Sequence, residues 1–184
     1  MAEDEVRVNR APVLTLWAAI VAERQGHDRE AALTFGKAVA GLNAQTKGRT
    51  LGIYSASKAA ESDKPPKKVG LGEEFWVEVC GRPVPAKNTR EGIRAVVLDK
   101  PIDPASVERY LESKFGESLG AVRKAMQDLA ASFSPKELGE VAFSLYQEFR
   151  PEVARGKKGW GQAGTMSLAR MRALAKRGAR KGSS

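Results

Sequence analysis

The residues that could do chemistry gather at one end of the chain. After Glu152 there is no acidic residue, while Arg155, Lys157, Lys158, Arg170, Arg172, Lys176, Arg177, Arg180 and Lys181 are basic. The 184 residues hold 31 Lys and Arg against 22 Asp and Glu, so with nine basic groups in the tail the remainder cancels and the net charge of +9 belongs to the tail. A localised cationic segment draws polyanions by releasing their condensed counterions, whatever the sequence, and salt erodes the gain. Gly156, Gly159, Gly161 and Gly164 surround Trp160, and Lys157 and Lys158 stand just before it. Glycine lets a backbone approach a phosphate closely. The spacing is not that of a Walker loop, however, and no Lys-Ser or Lys-Thr follows the last glycine. Trp160 has the chemistry to stack on a base, but docking the tail onto the body is its favoured role. Leu168, Met171, Leu174 and Ala175 then recur at helical spacing, with Arg170, Arg172, Lys176 and Arg177 on the other side. Such a basic amphipathic helix suits nucleic acid, an anionic surface or an acidic groove. Its apolar side has three large residues and no aromatic, which argues against membrane insertion. From Gly178 onward the expectation is disorder.

Other chemistry is sparse. His27 is the one histidine, so no multi-histidine metal site forms and any Ser–His–acid triad would depend on it alone. Cys80 is the one cysteine, which excludes an internal disulfide and a cysteine metal site; placed in an expected strand beside Gly81, it reads as a structural thiol. The carboxylates show no paired motif. No catalytic residue, metal site or cofactor is assigned. Phe75 and Trp76 lie near Arg82, Lys87, Arg90 and Arg94; base stacking is conceivable, with core packing of at least one ring favoured.

The elements that must position these residues begin with Ala11 to Gly48, which reads as two helices joined by a tight turn. Pro12 suits a first helical turn. Val13, Leu14, Trp17, Ile20 and Val21 share a broad face, Gly26 ends the helix, and Asp28 caps the next. In that second helix Ala32, Gly36 and Ala40 repeat every four residues, which implies close packing within the chain or across a dimer. The turn glycine, with Ala22 four residues earlier, invites a DNA-reading helix–turn–helix. Gln25 and His27 stand where that motif wants an apolar residue, so a core hairpin or dimer interface is the expectation.

Residues 1–54 therefore form a lead-in and helical hairpin, with residues 1–9 frayed. Residues 55–72, rich in Ser, Lys, Pro and Gly, form a linker. Residues 73–154 hold a small β-meander and a three-helix bundle. In the meander Phe75, Val77 and Val79 alternate with Trp76, Glu78 and Cys80, Gly81-Arg82 and Glu91-Gly92 turn the chain, and Pro83 and Pro85 mark an edge or irregular strand. The helices start at Asp103-Pro104, after Gly116, and at Ser134-Pro135, where Glu137 completes a capping box. Residues 155–184 are the basic, Gly-rich arm. No segment reaches the ~18 apolar residues of a membrane span, and the acidic opening Met-Ala-Glu-Asp-Glu is unlike a secretory leader.

The sequence thus predicts a mainly α (α+β) cytoplasmic protein that binds nucleic acid, DNA before RNA, largely through backbone phosphates. Its contact residues would be Lys157, Lys158, Trp160, Arg170, Arg172, Lys176, Arg177, Arg180 and Lys181. The alternative is a helical interaction or regulatory adaptor that homodimerises through the N-terminal hairpin.

Overall fold

The computed structural model describes residues 5–48, 73–97, 100–153 and 163–182. The linker expected over 55–72 and the segment carrying Lys157, Lys158 and Trp160 lie outside the described residues. The fold mixes helices with two antiparallel sheets. In chain order it runs β1 (Glu5–Val8), α1 (Arg10–Arg24), α2 (Arg29–Gly48), β2 (Glu74–Val79), β3 (Arg82–Thr89), β4 (Gly92–Val97), β5 (Lys100–Pro101), α3 (Pro104–Phe115), a 3-10 turn (Gly116–Ser118), α4 (Leu119–Ala131), α5 (Pro135–Phe149), β6 (Gly164–Ser167) and α6 (Leu168–Gly182).

Helix α1 is the centre. Every residue from Pro12 to Ala22 is buried, not one face alone. It packs against α2, α3, α4 and α5. Ala18, Ala19 and Ala22 let neighbours approach on the sides the large residues do not occupy, and the buried Thr15 hydroxyl donates to the Ala11 carbonyl at 2.9 Å. A helix that is apolar all round belongs inside. At its end Gly26 takes φ +107°. The N–H of His27 reaches back to the Ala22 carbonyl (3.1 Å) and that of Gly26 to Glu23 (3.0 Å), the paired bonds of a Schellman stop. Asp28 then caps α2 by accepting from the Ala31 N–H at 2.7 Å.

The small-residue stripe of α2 faces α1. A Cβ on Gly36 would overlap the Thr15 carbonyl oxygen and lie 3.0 Å from the Ala19 nitrogen, so only glycine permits this approach. The close contact is therefore within the chain. On another side of α2, the buried Thr34 hydroxyl donates to Ala31 (2.7 Å) and accepts the N–H of Ala95 in β4 at 2.9 Å. A helix side chain thus satisfies a strand group where no neighbouring strand bonds it.

The larger sheet has the order β2-β3-β4-β5. The first turn falls on Cys80 and Gly81, at φ +52° and +74°, between the paired Val79 and Arg82. Two consecutive positive φ values are what a two-residue hairpin needs to match strand twist. Cys80 is therefore in the turn, not in a strand, and the turn lies one residue earlier than the Gly81-Arg82 expected. Residues 82–87 of β3 pair with β2, and 86–89 pair with β4. The register from Val79↔Arg82 places Pro83 and Pro85 at positions whose nitrogen points away from β2, before β4 joins. The strand stays regular because its missing donors fall where no partner requires them.

The smaller sheet corrects the reading of the N-terminus. Residues 5–8 are not frayed: β1 pairs antiparallel with β6, Val6 opposite Met166, and Val6, Val8 and Met166 are buried. A strand of four residues is too short to announce a period, and its partner sits at the far end of the chain. Thr165 of β6 also exchanges backbone bonds of 2.9 Å each way with Glu152. Gly164 permits that contact, since its Cβ would lie 2.5 Å from the Glu152 oxygen. The caps of α3 and α5 form from the expected residues: Asp103 accepts from Ala105 N–H at 3.1 Å, and Ser134 from Glu137 N–H at 3.2 Å. Among the described residues no helix is long and apolar enough to cross a membrane.

Candidate nucleic-acid interface

Helix α6 carries the described part of the basic tail. Ser167 starts it by accepting the Arg170 N–H at 3.2 Å. Leu168, Met171 and Leu174 are buried, and the helix lies against α4 and α5. Gly178 is buried as well: a Cβ there would meet the Ser132 hydroxyl at 2.5 Å and the Phe133 ring at 2.7 Å. The helix continues to Gly182, so the disorder expected from Gly178 does not hold. Seating this glycine on the Phe133 ring lets the last turns pack closely on the α4–α5 corner.

The opposite face of α6 presents Arg170, Arg172, Lys176 and Arg177, all exposed. Two of them touch the end of α5. Arg170 Nε donates to the Glu148 carbonyl at 2.5 Å, and Arg177 Nη1 lies 3.9 Å from Glu148 Oε1. With side chains 66% and 40% exposed, the second pair is weakly held and open to exchange for another anion. Glu148 is the functional neighbour that the sequence does not single out. Its place opposite α6 depends on how two helices meet. Arg180 and Lys181 fall in the last turn of α6, with side chains outside what the structure describes; Lys157, Lys158 and Trp160 lie outside the described residues altogether.

Several chemistry-bearing groups elsewhere are engaged within the fold, while Arg7, Arg90, Lys100 and Lys136 are exposed. His27 sets its ring edge against Phe35, centroids 5.0 Å apart. Burial lowers its pKa, and the nearby Asp28 opposes that shift. Cys80 is buried, and desolvation pushes its thiol up to about 12, so it is no nucleophile at neutral pH. Of the two aromatic neighbours in β2, Phe75 packs against the core while Trp76 is 41% exposed opposite Pro85. Three of the four basic groups near them are engaged: Arg82 donates to the buried Asn43 at 3.1 Å, Lys87 faces Glu74 at 3.8 Å, and the buried Arg94 pairs with Glu30 at 3.5 Å, while Arg90 is exposed. In the N-terminal helices Arg24 donates to the Phe133 carbonyl at 2.9 Å, Arg29 to Glu108 at 2.7 Å, and the Lys37 ammonium sits 4.0 Å over the Tyr110 ring. The face of α6 gathers Arg170, Arg172, Lys176 and Arg177 as exposed cations on one docked, regular helix. Compared with known family models, curated proteins and solved structures, the chain matches none.

Proposed function

We propose that this protein binds nucleic acid, duplex DNA before RNA, by contacting backbone phosphates with the exposed face of α6. The observation that supports this reading most is the charge arithmetic joined to the docking. The whole excess of +9 lies after Glu152, and the apolar side of α6 is buried, which leaves Arg172, Lys176 and Arg177 on its outer side. A helix held in one orientation loses little further freedom when its cations meet phosphates, so more of the electrostatic gain appears as affinity. The role is one of binding rather than catalysis, in a cytoplasmic setting. Lys157, Lys158 and Trp160, outside the described residues, remain proposed contacts on the strength of their chemistry alone.

The alternative is the interaction or regulatory adaptor; the contact of Gly36 with Thr15 and Ala19 of the same chain gives less support to a dimer through that point of the stripe. The test is an electrophoretic shift series on duplexes of unrelated sequence, comparing the parent with a variant carrying Arg172→Gln, Lys176→Gln and Arg177→Gln. Arg170 is kept because it helps dock the helix. The variant should bind all duplexes more weakly by a similar factor. Equal affinity of parent and variant would place the contact surface elsewhere, or nowhere.

A further inference from the structure

The C-terminal end of α5 gathers three arginines from distant parts of the chain. Arg10, at the start of α1, donates its Nε to the Pro151 carbonyl at 2.8 Å. Arg170, from α6, donates its Nε to the Glu148 carbonyl at 2.5 Å. Arg150 stands in sequence between those two carbonyls, half-buried, and its side chain makes no hydrogen bond or ion pair among the described residues. Carbonyls at a helix end attract cations, which explains why Arg10 and Arg170 anchor there. It does not explain Arg150, nor why Arg10 and Arg170 each use Nε alone and leave their terminal nitrogens without a hydrogen-bond partner among the described residues. Tyr146 links this group to α1 by donating its hydroxyl to the Arg10 carbonyl at 3.5 Å. Burial raises the Tyr146 pKa to about 12, against the pull of Arg150 and Arg10, so it remains a donor.

Like charges held together repel. Burial first, and then the neighbouring Arg150, lower the pKa of Arg10, with Tyr146 and Glu152 opposing. The carboxylates at this end offset the crowding only in part: Glu148 faces Arg177, and the exposed Glu152 acts on Arg10 without forming an ion pair with it. Guanidinium groups with free terminal nitrogens are the fork that matches a phosphate.

We propose that Arg10, Arg150 and Arg170 form a phosphate-binding cradle at the C-terminal end of α5, which carries the contact surface of α6 onto the body of the protein; this rests on the nucleic-acid reading above. Arg10 and Arg150 contribute although residues 1–152 sum to zero charge, because the fold, not the sequence, brings them beside the tail.

Arg150→Gln is the variant of choice, since the side chain it changes supports no bond of the fold among the described residues. Its melting temperature should match that of the parent. Its affinity for duplex DNA should fall, and the log–log salt slope should flatten by about 0.9, the value of one phosphate contact. A parent that binds with a steep salt slope and an Arg150→Gln variant with the same affinity and slope would overturn the cradle and leave the α6 reading standing. Should the parent fail to bind DNA, inorganic pyrophosphate serves as the probe. Thermal stabilisation of the parent but not of Arg150→Gln would uphold a phosphate site without nucleic acid, and equal responses would overturn it.

Discussion

Glu148 shows how a single residue sets the character of the basic face. Its carbonyl holds Arg170 and its carboxylate faces Arg177. The helical period assigns Arg170 and Arg177 to the exposed side of α6, and both are there. It cannot tell which cation is used for docking, because that depends on the carbonyl that lies opposite. Glu148→Gln removes a competing negative charge and keeps the carbonyl. The variant should bind duplex DNA more tightly at low salt, with the gain fading as salt screens it; an unchanged or weaker affinity would show that Arg177 is not a contact. Glu108 offers a test of the fold at the same scale. Burial favours its neutral form, but hydrogen bonds from Arg123 (2.8 Å) and Arg29 (2.7 Å) outweigh this and lower its pKa. A carboxylate depressed on folding stabilises above its unfolded value of about 4.3, and the contribution is lost as pH falls through the folded value. Glu108→Gln should therefore melt below the parent at neutral pH, and the gap should close in acid. Cys80, buried and raised to about 12, should react with a thiol reagent at pH 8 far more slowly in the native protein than in the unfolded one.

Elements were legible where their signals are local. Gly26, Asp28, Asp103 and Ser134 stop and cap helices through bonds within a few residues, and a sequence displays such bonds directly. The large apolar residues Trp17, Ile20, Leu111, Met126, Leu145 and Phe149 are all buried, because such groups at helical spacing have few other places to go. What was hidden depends on partners far along the chain. Strand β1 has four residues and pairs with β6, and no period within it reveals that. Thr34 reads as one more residue of α2, yet it accepts the Ala95 N–H of β4. The stripe around Gly36 was legible as a contact, but not which element would fill it. Gly36→Ala should destabilise the fold by ~1–3 kcal/mol through overlap with the Thr15 carbonyl, read as a lower denaturation midpoint with an unchanged slope. A midpoint equal to the parent's would mean that α1 and α2 can part without loss.

At the scale of the whole molecule, the tail that gives the protein its charge is also part of its structure. β6 completes a sheet with β1, and α6 buries Leu168, Met171 and Leu174. The sequence displays the charge of this segment plainly, because a count of residues locates it. Its integration was not legible, since three large apolar residues among six cations read equally well as an arm. Removing the residues after Glu152 should therefore abolish cooperative unfolding, and any loss of DNA binding in such a truncation would report folding rather than contact. The most direct measurement is the salt dependence of binding by the intact protein. If about six cations meet phosphates, log Kd against log salt on duplex DNA should have a slope of magnitude about 5, with affinity falling as salt rises. The variant with Arg172→Gln, Lys176→Gln and Arg177→Gln should fold normally and lose about 3 units of that slope. A parent whose binding ignores salt, or a variant that keeps the full slope, would contradict the account.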